Sequence, residues 1–409
     1  MRVMSLRATW LLGSVLLAVG YAAEAQEFSA NGFVEGGGVI PSHDTSWLKG
    51  GFGKLDNGGG GGQSPALVSQ GVADLRLTLD PSASVFATVR AAPDLHAPFD
   101  VLEAYGRYQP IATADRLWSI KLGAFFPPIS LESESVGWTS PWTLTPSAIN
   151  SWVGDELRTI GAESTFEWRY ADGALGLTGA AFGFNDPTGT LLANRGWAFD
   201  SRPIGLFGEA RQPDAVALSL GKKTPLREEP WKEIDGRPGY YFGASARQDG
   251  IGRLTALHYD NRADPAQHIG SDFGWRTKFT SLGVETYLGD IVILSQAMFG
   301  DTDIQPFDAF HSTTDFQAAY VLAGYYFGDF RIAGRFDVFA TQLRNSIGPS
   351  PSGEHGRAFT LSGSWTPIRW FRLATELIQV DSSRAARASA GLNPNASEFQ
   401  FQLVGRIFF

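Results

Sequence analysis

The sequence predicts an all-β chain: a transmembrane, antiparallel, up-and-down β-barrel of about sixteen strands. Three observations lead there. Runs of alternating apolar and polar residues recur, their connections are alternately tight and mostly long, and the composition is rich in glycine and poor in charge. A strand points successive side chains to opposite faces, so each alternating run has one oily and one wet face. A soluble sandwich turns the oily face onto a second sheet; a membrane barrel turns it to lipid and the wet face to the lumen.

Composition narrows the class. The 409 residues include 48 glycines and no cysteine, with 13% aromatic and 18% charged residues. Without cysteine there is neither a disulfide framework nor thiolate chemistry. The formal net charge of −9 argues against a nucleic-acid partner, which needs a basic face. Residues 1–25 read as a signal peptide. Arg2 and Arg7 form the basic part, Ala8 to Gly20 the apolar part, and Ala23-Glu24-Ala25 the cleavage site before Gln26. That apolar stretch is shorter than the roughly 20 residues a spanning helix needs. The barrel is expected over 26–409.

Sixteen strands are expected at 27–40, 66–79, 84–92, 100–109, 116–126, 157–170, 174–185, 239–248, 251–260, 273–288, 291–299, 316–327, 330–341, 357–366, 370–380 and 397–409. Tight turns follow even-numbered strands. They include Asp80-Pro81-Ser82-Ala83, Ala171-Asp172-Gly173, Asp249-Gly250, Gly289-Asp290 and Gly328-Asp329, residues suited to hairpins. Odd-numbered strands lead into 41–65, 127–156, 186–238, 300–315, 342–356 and 381–396. Short turns at one end and long loops at the other are the rhythm of outer-membrane barrels.

The facing pattern is sharpest near the carboxyl terminus. Phe399, Phe401, Leu403, Gly405, Ile407 and Phe409 form one row; Glu398, Gln400, Gln402 and Arg406 sit between them. Phe330, Ile332, Phe336 and Val338 likewise alternate with Arg331, Arg335 and Asp337. Strands seven, nine, eleven and twelve alternate poorly, which points to burial against a neighbouring protomer or a thick loop. Strand ten shifts phase near Phe279 to Leu282, the mark of a bulge or a displaced boundary. Aromatics gather beside the tight turns, among them Tyr108, Trp118, Trp168, Tyr170, Tyr287, Phe327, Trp365, Trp370 and Phe409, as in a headgroup-level girdle.

On these features the chain resembles the Gram-negative outer-membrane porins along its whole mature length. Gly123-Ala124-Phe125-Phe126-Pro127-Pro128 followed by Glu132 is also similar to the strand end that enters the constriction loop of the phosphate-selective group. The resemblance implies a location in the outer membrane and lipid as surroundings. It further implies a homotrimer and recognition of the strand ending in Phe409 by the barrel-assembly machinery. It also implies that 127–156 folds inward and narrows the pore.

That loop carries Glu132, Glu134, Asp155 and Glu156 with Trp138, Trp142 and Trp152. Thr145-Pro146 reads as a helix start, with a turn or two over Ala148 to Val153 closed by Gly154. Opposite it, Arg76, Arg90, Lys121, Arg247, Arg331, Arg335 and Arg372 are the expected basic pore lining, beside Arg107, Arg169 and Arg406. Wall acids Asp74, Glu103, Glu163, Glu167, Glu285, Asp337, Glu376 and Glu398 nearly balance them. Loop acids facing wall arginines would set a transverse field across the channel. The tryptophans either offer sliding surfaces to sugar rings or anchor the loop.

The expected function is passive diffusion of small hydrophilic solutes or ions, without cofactor or metal. The six histidines have no ligand spacing, and Gly221-Lys222-Lys223-Thr224 fails the phosphate-loop pattern. The alternatives are a porin selective for sugars, aromatic acids or phosphate, and an outer-membrane barrel enzyme. No Ser, His and acid grouping on the strands favours the enzyme. The 186–238 connection is expected to add a hairpin or cap the mouth.

Overall fold

A computed structural model describes residues 27–59, 64–93, 95–219, 226–308, 310–344 and 353–409. The signal segment 1–25, glycines 60–62 and residues 221–224 fall outside them. Sixteen antiparallel strands close into one barrel. They are β1 (Glu27–Ile40), β2 (Ala66–Asp80), β3 (Ala83–Ala91), β4 (Phe99–Ala112), β5 (Arg116–Phe125), β6 (Thr159–Tyr170), β7 (Gly173–Gly183) and β8 (Gly239–Gln248). The second half continues with β9 (Gly252–Asp260), β10 (Arg276–Leu288), β11 (Ile291–Phe307), β12 (Phe310–Phe327), β13 (Phe330–Arg344), β14 (Glu354–Ile368), β15 (Phe371–Arg384) and β16 (Asn395–Phe408). Each strand pairs with its sequence neighbours. β16 returns to β1, from Phe33↔Phe408 to Ile40↔Phe401. Closure leaves no strand edge in the wall, as a lipid surround requires. Gly250, Gly289 and Gly328 take left-handed φ of 74°, 63° and 58°, so the tight turns rest on the residue that adopts them without strain.

The structure corrects three boundary expectations. β11 and β12 run on as a paired hairpin through Asp301↔Asp315 and Thr302↔Thr314, so 300–315 is strand rather than a long loop. Both faces there are polar, and the alternation that marks a half-buried strand is absent. β14 to β16 lengthen in the same way, and 385–390 forms a 3₁₀ turn. β10 keeps unbroken register with both neighbours through 279–282. Its phase shift is Phe279 turned inward onto an aromatic core, not a bulge.

Outward rows are apolar and exposed, including Phe336 and Val338 on β13, Phe359 and Leu361 on β14, and Leu403 and Ile407 on β16. The rings beside the tight turns lie outward at the rim, with Trp168, Tyr170, Tyr287, Trp365, Trp370 and Phe409 all exposed. Inward rows on β14 to β16 are mixed: Thr360, Ser362, Glu376, Glu398, Gln400, Gln402 and Arg406 stand among buried Ala358, Ile378, Val380 and Val404. Inward residues on β7 to β12 are instead apolar: Phe182, Tyr241, Leu257, Tyr259, Phe279, Leu294, Met298, Phe316 and Tyr320. This is why several of those strands alternate poorly. Both faces are oily, the inner one because thick loops pack on it.

The outward row makes a direct test. Phe336→Arg places a charge on the lipid face of β13 and is expected to destabilise the folded barrel by about 2–4 kcal/mol in vesicles. Denaturant titration measures it, with the inward Ala333→Ser as the mild control.

Candidate functional site

After β5 the chain leaves the wall and enters the lumen. Phe126 donates its amide to Glu103 at 2.8 Å, and its ring stacks on Trp138 at 3.8 Å. Glu132 follows and is fully buried. One of its oxygens accepts from Arg335 at 2.6 Å; the other accepts from the Ser147 amide at 2.9 Å and the Asn150 amide side chain at 3.0 Å. Arg335 also bonds Asp337 at 2.8 Å, the Thr145 carbonyl at 2.7 Å and the Pro146 carbonyl at 3.0 Å. Glu376 on β15 accepts the Leu144 and Thr145 amides at 2.6 and 3.0 Å. A planar guanidinium between two carboxylates, spending its remaining donors on loop carbonyls, is a fixed geometry.

Arg335 therefore anchors the loop and does not line water. Its neighbours also move the expected helix start. The backbone of Thr145 and Pro146 is held by the wall, so the cap falls on Ser147, whose hydroxyl accepts the Asn150 amide. Helix α1 (Ala148–Glu156) runs past Gly154 to Glu156.

The acids at the end of α1 do not face a channel either. Asp155 pairs with Arg195 at 3.1 Å, and Glu156 accepts the Leu191 and Gly189 amides at 2.8 and 3.2 Å. Both hold a second inward segment, the first part of the 186–238 connection. Its short helix α2 (Thr190–Asn194) and Trp197 and Phe199 are buried inside the barrel, where the sequence predicts a hairpin or a cap over the mouth. Further along the connection Ala210 and Arg211 do pair antiparallel with Glu228 and Arg227. Trp152 meets Trp197, Phe279 and Phe316 at 6.0, 5.5 and 5.3 Å between centroids. The signal for this was present: Trp197 and Phe199 in a long connection, beside strands oily on both faces.

A third connection locks the second. Lys54, wholly buried, pairs with Glu354 of β14 and donates to the Trp197 carbonyl at 2.8 Å. Arg384 of β15 donates to the Asn194 carbonyl at 2.7 Å, and Arg195 lies over the Trp47 ring at 4.1 Å.

The other expected residues divide. Trp142 is buried against Tyr326 at 4.5 Å, and Glu134 pairs with Arg253 at 2.8 Å. Arg90 is buried and bonded to the Pro203 carbonyl. Lys121, Arg331 and Arg372 stay half-buried on the inward face, Lys121 paired with Glu163 at 3.0 Å, while Arg76 is exposed and so is Arg247, near a tight turn. Arg372 lies directly across the strand pair from Arg406, which bonds Glu35 of β1 at 2.7 Å. Arg331, two strands away, donates to the Pro141 carbonyl at 3.3 Å.

Space remains along β1, β2 and β16. A cavity of about 600 Å³ opens at the end carrying the long connections, lined in part by Lys49, Asp56, Arg90, Asp200, Arg202 and Arg227. Beneath it a gap of about 20 Å³ lies between Leu144, Ser201 and Arg202 on the loops and Glu35, Gln70 and Gln402 on the wall. Arg202 borders both spaces. A gap of that size holds about one water.

The fold has solved counterparts. The outer membrane channel DcaP of Acinetobacter baumannii aligns with a TM-score of 0.57 at 10% identity, over 95% of this chain and 99% of that one. OmpF of Salmonella typhi, in complex with daunomycin, aligns at 0.53 and 10% identity over 95% and 99%. The trimer form of OmpT, an outer membrane protein of Vibrio cholerae, aligns at 0.52 and 10% identity over 94% and 100%. The shared feature is the barrel fold of Gram-negative outer-membrane porins. No protein-family profile matches the chain, and no curated protein matches it in sequence.

Two measurements follow. Arg335→Ala leaves Glu132 and Asp337 buried without their cation, an expected loss of about 3–5 kcal/mol by denaturant titration. Glu156 tests the second segment by pH, since burial lifts its carboxyl from 4.5 to about 7. A raised acid pKa means that the folded form holds a proton the unfolded chain has released. Stability is therefore gained as pH falls below 7, and the ionised form is strained above it. From pH 8 to 5.5 that is worth about 2 kcal/mol. The thermal midpoint in detergent should fall more between pH 5.5 and 8 for the native chain than for Glu156→Gln.

Proposed function

We propose that this chain is an outer-membrane porin, a passive channel for small hydrophilic solutes and ions. The observation that carries it is a pair of spaces along β1, β2 and β16, a mouth cavity of about 600 Å³ and a gap of about 20 Å³ that share Arg202 in their lining, which we read as one path with its throat at the gap. The apolar exterior supports a bilayer surround. The neighbours support the outer membrane as its location, and the trimer form of OmpT supports a homotrimer. The exposed ring of Phe409 suits recognition by the barrel-assembly machinery.

Beyond the throat, Arg331, Arg372 and Arg406 face the lumen from β13, β15 and β16. Like charges directly across a strand pair repel, so Arg372 beside Arg406 raises the local potential and favours anions at this level. Neutral solutes have no such preference. The filled lumen also implies a small conductance, because two inward segments, not one, occupy the barrel. A selective porin is the second reading, favoured by the charged mouth above so narrow a gap.

Planar-bilayer recording is the test. Purified protein is expected to give small stepwise channels, and a record with no steps contradicts the proposal. Arg372→Glu is expected to move the reversal potential toward cation preference; an unchanged potential would place Arg372 off the ion path.

A further inference from the structure

Resting on the channel reading, we infer that Arg158 is the positioning residue of the throat, the group that fixes its movable side and hence its width. The gap of about 20 Å³ has a wall side, Glu35, Gln70 and Gln402, and a loop side, Leu144, Ser201 and Arg202. A hydrated solute is larger than one water, so one side must yield for it to pass. The wall side belongs to β1, β2 and β16, whose paired ladders open only by breaking backbone bonds. Leu144 is fastened to the wall through Glu376. Ser201 and Arg202 lie instead on a strap, 200–204, tied chiefly to other loops, and this is the side that can retreat.

The strap lies along the last turns of α1. The Asp200 amide donates to the Ser151 hydroxyl at 3.0 Å, and the Ile204 amide to the Gly154 carbonyl at 3.1 Å. A side chain at Gly154 would meet Pro203 at 3.2 Å, so helix and strap are in close contact there. The Ser201 hydroxyl donates to Asp56 at 2.6 Å, and Arg90 of β3 bonds the Pro203 carbonyl. Arg158 closes the arrangement. It is wholly buried and donates to four carbonyls: Leu102 of β4 at 2.9 Å, Leu157 at 2.7 Å, Gly154 at 3.2 Å and Ile204 at 2.6 Å. One guanidinium thus joins the wall, the helix end and the strap.

Its faces are engaged as well. Arg158 lies over the Phe126 ring at 3.4 Å and the Trp231 ring at 4.9 Å, and Trp231 donates to the Gly205 carbonyl at 2.7 Å, just past the strap. Carbonyls and ring faces hold a cation in place, and together they ask for a flat group with many donors. A lysine at this position keeps the charge but has neither the plane nor the donors for four acceptors.

Arg158→Lys is therefore the test, with Ser201→Cys as the reporter in a chain that has no cysteine of its own. In detergent, a water-soluble maleimide is expected to label position 201 about tenfold faster in the Arg158→Lys background, the effect of weakened bonds on local opening. Trp231→Leu, a substitution outside the wall, should act in the same direction, and it decides the matter if Arg158→Lys does not assemble. Single-channel conductance of either variant should rise, with the denaturant midpoint of the barrel close to native. Arg384→Lys loosens the same connection at Asn194, away from the strap, and should leave the labelling of position 201 unchanged. Unchanged labelling in the Arg158 and Trp231 variants, an equal gain from Arg384→Lys, or faster labelling with unchanged conductance overturns the positioning role and leaves the porin reading standing. Faster labelling where no variant, nor the native chain, forms channels keeps Arg158 as the fastening of the strap and removes the channel reading.

Discussion

Lipid offers no hydrogen bonds, and the whole architecture follows from that. Every backbone amide and carbonyl in the wall must find a partner within the chain, and for strands the only complete solution is closure. Here closure is the pairing of β16 with β1 across Phe33↔Phe408 to Ile40↔Phe401. The apolar rows of Phe336, Phe359 and Leu403 are favourable only because a closed wall turns them all outward. The same closure defines an inside, and that inside has to be filled or hydrated.

This barrel does both. Along β7 to β15 the lumen is filled by two inward segments whose tryptophans pack as in a soluble core. Along β1, β2 and β16 the wall is more polar, and the space between it and the loops narrows to a gap of about 20 Å³. Charge organises the filling. Arg335 between Glu132 and Asp337, Lys54 against Glu354, and Arg195 against Asp155 each join a loop to the wall or to another loop. Buried ion pairs contribute little net stability, because desolvation offsets their attraction, but a missing partner is severe. They therefore suit the task of fixing where a loop sits, which in a channel fixes where the water runs.

The sequence conveyed the wall and misjudged the contents. All sixteen strands were legible because lipid on one face and water on the other impose a period of two. The legibility ended where that contrast ended. At Gly300 to Asp303 both faces are polar; at Phe279 and Tyr320 both are apolar. Arg335 sat on the correct face, but a face does not tell whether a side chain meets water or a carboxylate. Its partner Glu132 is 203 residues away in sequence. Asp155 and Glu156 were expected at the pore for the same reason. The inward course of the first part of 186–238 depends on contacts with β13 to β15 that no local pattern encodes.

The absence of cysteine makes the central claim directly measurable. Single cysteines placed at adjacent positions of β15, Arg372→Cys and Leu373→Cys, should differ completely in vesicles. A water-soluble, membrane-impermeant maleimide is expected to label position 372 from the lumen and leave position 373 unreacted in lipid. Equal labelling of both positions would mean that no greasy exterior and hydrated interior divide this strand, and the account would fail.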